Sequence, residues 1–194
     1  MTKRKGADSE ETREVILAAA ADEFYLYGYE KATLRRICAN AGVTTGAVYC
    51  FYGNKENLLS AVMYPIFKVV SSVSIDFDRI LNDDYSAFEN FRRFFSANRK
   101  LYRILYTNMN NPVIAEYLDG LNEEFCNQVT ELALKVTEGR QLPSELEQSS
   151  RYLANIMVYS IIKIIAEEAD DDAAAKQLIT VIRVFKNGII SLLK

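Results

Sequence analysis

The side chains best equipped for chemistry in this 194-residue chain gather in one short stretch, Thr33 to Lys55, which reads TLRRICANAGVTTGAVYCFYGNK. Thr33, Thr44 and Thr45 bring hydroxyls, Tyr49 a phenol, Cys50 a thiol and Lys55 an ammonium. Groups of this kind recognise a partner by hydrogen bonding and charge. The chain has no histidine, which removes the usual zinc sites and any His-based general acid or base. Catalytic readings lose most of their candidates, and neither a catalytic set nor a metal-ligand set is expected.

The elements that must hold these groups are legible in the same letters. A first short helix begins at Thr33, whose hydroxyl can cap the free backbone N–H groups, and Leu34, Ile37, Cys38 and Ala41 then fall on one face. Gly42 follows, where the chain must reverse through a left-handed conformation that costs a residue with a Cβ roughly 1–2 kcal/mol. Val43 plugs the corner and Thr44 can cap a second helix. Val48 and Phe51 of that helix point back toward the first, leaving Thr44, Thr45, Tyr49 and Cys50 on the outer surface. Two short helices about a glycine turn, with the outward face free, are the layout of a DNA-reading helix-turn-helix over about 33–52.

Here the chain resembles the tetracycline-repressor (TetR) family of bacterial transcriptional regulators. The resemblance runs through Ile16, Leu17, Ala19, Ala20, Phe24, Gly28 and Tyr29 of a first helix. It continues in Thr33, Ile37, Ala41, Gly42, Val43, Gly46, Tyr49, Phe51, Tyr52, Lys55, Glu56, Leu58 and Leu59. So many matches in register far outweigh a lone short motif. Departures are informative too. Thr45 stands where Lys or Arg is usual, which removes a charged donor from the outer surface. Cys50 replaces a frequent His, Cys38 a small Ala, and Glu23 an apolar residue whose partner the sequence does not reveal.

Composition fits a globular protein: 49% of residues are hydrophobic, enough for one compact core or two small ones. The formal net charge is −3. Residues 1–60 carry eight basic and eight acidic side chains, so the remainder supplies the whole excess. A neutral head still attracts phosphates when its cations cluster at the contact surface, since the attraction decays within about 8–10 Å. Lys3, Arg4, Lys5, Arg35, Arg36 and Lys55 are the candidates, whereas Arg13 and Lys31 read as solvated charges. No run reaches the ~18 apolar residues of a membrane span, and the basic start leads to no signal-peptide pattern. Cys38, Cys50 and Cys126 form no CxxC pair and fit reduced thiols. A cytoplasmic, bacterial protein is expected, nucleoid-associated when bound.

Beyond the head the pattern stays helical, for about nine helices in all. Asn54 caps a fourth helix running from Lys55 toward Leu81, with Pro65 inside it, and Asn82-Asp83-Asp84 reads as a break. Two shorter helices fit the steps through Phe88, Phe91 and Phe95, then Leu101, Tyr102, Leu105 and Tyr106. Asn111-Pro112 opens a long helix to about Thr137, stopped by Gly139. Pro143-Ser144 opens another to Glu168, and Asp170 to Asp172 start the last. These final two helices are apolar on more than one side: they are either the buried centre of the larger domain or a surface covered by something else.

The fold expected is therefore all-α. A three-helix DNA-binding domain occupies residues 9–62 and a helical ligand-binding and dimerisation domain residues 63–194. The resemblance implies that Thr44, Thr45 and Gly46 approach base edges, that Thr33, Tyr49 and Lys55 hold phosphates, and that the two C-terminal helices pair two copies on a palindromic double-stranded DNA operator. Cys50 either lies against DNA or, the stronger reading, is a neutral surface thiol. The resemblance also implies a small-molecule effector. Phe91, Phe95, Tyr102, Tyr106 and Phe125 are an aromatic set suited to an apolar or aromatic ligand, or else plain core. Arg92, Arg99, Arg103 and Asn108 are polar anchors for an anionic ligand or exposed face residues. No cofactor and no membrane partner is implied. The function expected is a sequence-specific regulator, a repressor released by a ligand. The alternative is a helix-turn-helix protein whose C-terminal domain answers a protein partner.

Overall fold

The computed structural model describes residues 7–72, 85–138 and 144–192. Among the described residues there are eight α-helices and no strand. The first four are α1 (Ala7–Lys31), α2 (Leu34–Ala41), α3 (Thr45–Tyr52) and α4 (Lys55–Ser72). The body follows as α5 (Tyr85–Thr107), α6 (Pro112–Val136), α7 (Ser144–Glu167) and α8 (Asp171–Leu192).

Local chemistry sets most of the boundaries. The Asn54 side chain accepts the N–H of Asn57 at 2.7 Å and starts α4. Asn111 does the same for Val113 at 3.0 Å, with Pro112 in the first helical position where its missing donor is harmless. Asp170 accepts from Ala173 at 2.7 Å at the head of α8, and Asp171 and Asp172 add negative charge to that positive helix end. α1 is interrupted at Gly28, whose φ of 71° and ψ of 165° are not helical.

One expectation is corrected. The segment read as two shorter helices is the single helix α5. It contains neither Gly nor Pro, so nothing in its backbone forces a stop. Its polar middle is occupied instead by side-chain bonds to other helices: Ser96 and Arg99 to Asp171, and Lys100 to Asp22. The run from 73 to Leu81, the break at Asn82 to Asp84, the Gly139 stop, Pro143 and the cations Lys3, Arg4 and Lys5 lie outside the described residues.

α1 packs on α2, α4 and α5, while α7 lies against α5, α6 and α8. One continuous buried cluster joins the head to the body, running from Ile16, Phe24 and Ile37 through Leu58 and Met63 to Ile104, Leu105, Ile165 and Leu178. A smaller one unites Phe125, Val129, Ala154, Met157 and Ile182. Each of the larger side chains among them contributes about 1.5–3 kcal/mol by leaving water. The head is therefore seated on the body by apolar packing, and the outward face of α3 is what remains free.

Candidate nucleic-acid interface

The corner between α2 and α3 is built from its caps. Thr33 is extended (φ −127°, ψ 137°) and its hydroxyl oxygen accepts the N–H of Arg36 at 3.3 Å. Gly42 closes α2 in the left-handed region at φ 66°, ψ 27°, which lets the Val43 N–H reach back to the Cys38 carbonyl at 3.0 Å. Thr44 then starts α3, accepting the N–H of Ala47 at 3.3 Å. Capping uses the oxygen of each threonine as acceptor and leaves its O–H proton to donate outward.

Val48 is buried and Phe51 half-buried under α3, so the opposite face is presented. Thr44, Thr45, Gly46, Tyr49 and Cys50 are all exposed, Tyr49 at 56%. Gly46 has no internal need to be glycine. Its φ is not in the left-handed range, and an added Cβ would meet only the Thr44 Oγ1 at 3.7 Å, an ordinary contact. What a side chain there would obstruct is close approach from outside.

The cations behave differently from one another. Lys55, at the start of α4, is half-buried, and its Nζ donates to the carbonyls of Tyr29 at 2.8 Å and Ala32 at 3.1 Å while lying 4.2 Å from the centre of the Tyr29 ring. Two of its three protons are thus spent on the end of α1, and one points away from them. Arg36 donates through Nε to Glu23 at 2.5 Å and through its other arm to the Lys31 carbonyl at 2.5 Å, and stacks over Tyr27. Among the described phosphate candidates, it is the one whose charge is neutralised by a buried carboxylate. Arg13, read as a plain solvated charge, lies 5.1 Å from the Phe51 ring centre.

Glu23 is the residue that the sequence left unexplained. It is only 1% exposed, and its carboxylate takes both the Thr33 N–H at 3.0 Å and the Arg36 guanidinium. An acid in the apolar stripe of α1 was the signal; the partner became visible only once α1 and α2 crossed.

In the body, the aromatic set does not gather around one space. Phe95 meets Tyr102 edge-on at 5.3 Å, Tyr106 pairs with Tyr159 at 6.0 Å, and Phe125 packs on Phe185 at 5.3 Å in the second cluster. The side chain of Phe91 lies outside the described residues. Burial pushes the phenols of Tyr102 and Tyr117 well above the usual tyrosine range. Phe95 also borders a hollow of about 10 Å³, together with Arg92, Arg99, Ile165, Asp171 and Leu178; that is room for a single water molecule. Arg92 is paired with Glu89, and Arg99 with Asp171 and the Ile165 carbonyl. Arg103 donates to the Ala166 carbonyl and the Tyr25 phenol, and Asn108 accepts from the Tyr29 N–H. All four polar anchors are thus engaged within the protein.

Residues 16–62 match the profile of bacterial regulatory proteins of the tetR family. The head of this chain is thus similar to the N-terminal domain of the tetR family. Over 63 residues the chain is 43% identical to the HTH-type transcriptional regulator SrpR of Pseudomonas putida, a stretch covering 32% of this chain and 30% of that one. It is also 38% identical over 61 residues to the HTH-type transcriptional repressor BepR of Brucella suis, covering 31% and 29%. The match thus spans less than a third of either relative. The fold similarity reaches further: SmeT, the repressor of the Stenotrophomonas maltophilia multidrug efflux pump SmeDEF, superposes with a TM-score of 0.60 at 18% identity, over 92% of this chain and 91% of that one. The TetR-type head is where sequence and fold agree, and it is the part that carries the exposed α3. No described helix is long and apolar enough to cross a membrane.

Proposed function

We propose that this chain is a sequence-specific DNA-binding transcriptional regulator, a repressor that leaves its operator when a small molecule binds. The observation that carries the reading is the α3 surface: a helix capped at both ends, buried through Val48, and offering Thr44, Thr45, Gly46, Tyr49 and Cys50 on one exposed face. Thr44, Thr45 and Gly46 take the base edges, where hydroxyls donate or accept and a glycine admits the groove wall. Tyr49, Lys55 and the start of α2 at Thr33 take phosphates, and Cys50 borders the DNA as a neutral thiol. Residues 9–62 form the reading head and residues 63–194 the regulatory part.

The working unit is a homodimer. Two heads on one face of a duplex must sit about 34–36 Å apart or a multiple of it, which a twofold axis supplies. Tyr152, Ile156 and Tyr159 on α7 and Val184 on α8 are exposed large apolar residues on the two C-terminal helices, the surface a second copy would cover. The Phe95, Tyr102, Tyr106 and Phe125 region of the body is closed as packed, so an apolar or aromatic effector bound there would have to part these rings. The effector acts by binding one arrangement of the dimer better than the other. The protein works in the bacterial cytoplasm and, on this reading, is not an enzyme.

The deciding experiment is recovery of genomic fragments by the purified protein, followed by titration of the recovered duplex against salt. Tight binding to a palindrome-like sequence, weakening steeply as salt rises, is the expected result. A protein that retains no fragment and shows no salt-sensitive affinity for any duplex would exclude the reading.

A further inference from the structure

The Tyr29 peptide is held from both sides. The break at Gly28 takes the Tyr29 N–H out of the helical ladder, and the Asn108 Oδ1 at the end of α5 accepts it at 2.8 Å. On the other side of the same residue, the Tyr29 carbonyl accepts the Lys55 ammonium, also at 2.8 Å. Asn108 is itself fixed, its amide nitrogen donating to the Ile104 carbonyl at 2.6 Å and to the Thr107 hydroxyl at 3.1 Å. A cation of the DNA-facing head is therefore two hydrogen bonds from a side chain of the body.

We infer that Asn108 is a positioning residue for DNA binding: through the Tyr29 peptide it sets where Lys55 stands, and so couples the α5–α6 turn of the body to a phosphate contact of the head. Two further rungs keep α1 and α5 in register, Lys100 to Asp22 and Arg103 to Tyr25. Neither of them reaches Lys55. The inference rests on the DNA-binding reading and adds to it the route by which the body could reset the head.

The test is a mutant cycle on the full chain, with a labelled random-sequence duplex as probe. Asn108→Leu keeps the volume and removes the acceptor; Asn108→Asp keeps an oxygen facing the Tyr29 N–H and, like Leu, gives up the bond to Ile104. Lys55→Met alone should weaken binding roughly tenfold, the weight of a charge-assisted contact. Asn108→Leu should weaken it comparably, Asn108→Asp should stay near wild type, and Lys55→Met in the Asn108→Leu background should add less than about twofold. Independent losses that multiply, or an Asn108→Asp protein as weak as Asn108→Leu, would overturn the inference while leaving the DNA-binding reading intact. A wild-type chain that binds no duplex would overturn both. Should Asn108→Leu fail to fold, hydrogen exchange of the wild-type Tyr29 amide decides: slow exchange supports the bond, and exchange at the rate of an open amide removes it.

Discussion

The carboxylate of Glu23 accepts the backbone N–H of Thr33 at 3.0 Å. It spans ten residues of chain to satisfy a donor at the exposed start of α2, and the same oxygen holds the Arg36 side chain, which remains 45% exposed. The reading head is thus cross-braced from inside α1, and the orientation of α2 depends on one buried acid.

Glu23→Ala should therefore destabilise the protein by about 1–3 kcal/mol, because it removes charge-assisted bonds to the Thr33 N–H and Arg36 and leaves a gap where the buried acid stood. Glu23→Gln keeps an acceptor and should lose distinctly less. Urea denaturation of the three proteins measures the difference; an Ala variant as stable as wild type would show that the brace carries no weight.

Sequence made some of this legible and hid the rest for a physical reason. Thr33, Thr44, Asn54 and Asn111 were readable as caps because a cap bonds to backbone two or three residues away. Gly42 was readable because only a left-handed corner demands glycine so locally. Glu23 with Arg36 and Lys55 with Tyr29 span 13 and 26 residues, so their partners depend on how helices cross, which periodicity does not encode. Arg99 is the same case from the other side: it read as a possible ligand anchor, yet the fold brings it to Asp171 on α8. The aromatic residues told where rings would lie along α5 and α6, but not that Tyr106 would meet Tyr159 on α7 or Phe125 would meet Phe185 on α8.

On the outer face of α3, Thr45 and Tyr49 should fail in different ways. On the proposed DNA-binding reading, with Tyr49 on phosphates and Thr45 on base edges, Tyr49→Ala should weaken specific and random duplexes alike. On the same reading Thr45→Ala should cost about 1–3 kcal/mol on the preferred site with little change elsewhere. Competition binding with both duplexes separates the two, and a uniform loss for Thr45→Ala would remove it from the readers.

Gly42 offers a cleaner measurement of backbone strain than most glycines. A Cβ built there meets nothing within 4 Å, so a side chain suffers no clash and bears only the penalty of φ 66°. Gly42→Ala should cost roughly 1–2 kcal/mol and lower DNA affinity through the misplaced α3. The β-branched Gly42→Val should cost more. Equal melting temperatures for Gly, Ala and Val proteins would contradict the corner.

Acid should loosen the contact between α5 and α8. Within α5 itself, hydrogen bonds from Arg92 and Arg93 hold the Glu89 carboxyl down to about 2; the bonds that cross to α8 are those of Asp171. Ser96 and Arg99 likewise hold Asp171 below the usual range. Groups depressed in the folded state contribute stability above their unfolded pKa and lose it as pH falls toward the folded value. The loss should begin below about pH 4.5 and continue toward pH 2. Denaturation midpoints for wild type and Asp171→Asn, compared from pH 7 to acid, should converge as pH falls; a constant gap across that range would assign Asp171 no part in the acid response.

The exposed stripe of α7 poses the question of assembly directly. Tyr152 is 74% exposed, Ile156 62% and, on α8, Val184 68%, and residues 152, 156 and 159 recur at helical steps on one side of α7. Left in water, these side chains forgo the stabilisation that burial would bring; covered by a twofold-related copy, they become the centre of a helical interface. Placing a carboxylate there by Ile156→Glu would bury an unpaired charge in the dimer at a cost of several kcal/mol, while costing the monomer almost nothing. Sedimentation should find wild type dimeric and the variant monomeric with an unchanged far-ultraviolet spectrum. Binding to the recovered operator should fall far more than binding to random duplex, because one head alone keeps its phosphate contacts and loses its partner. A dimeric Ile156→Glu protein would move the interface off this face, and a wild-type chain that stays monomeric at every concentration would leave the paired-head geometry without its axis.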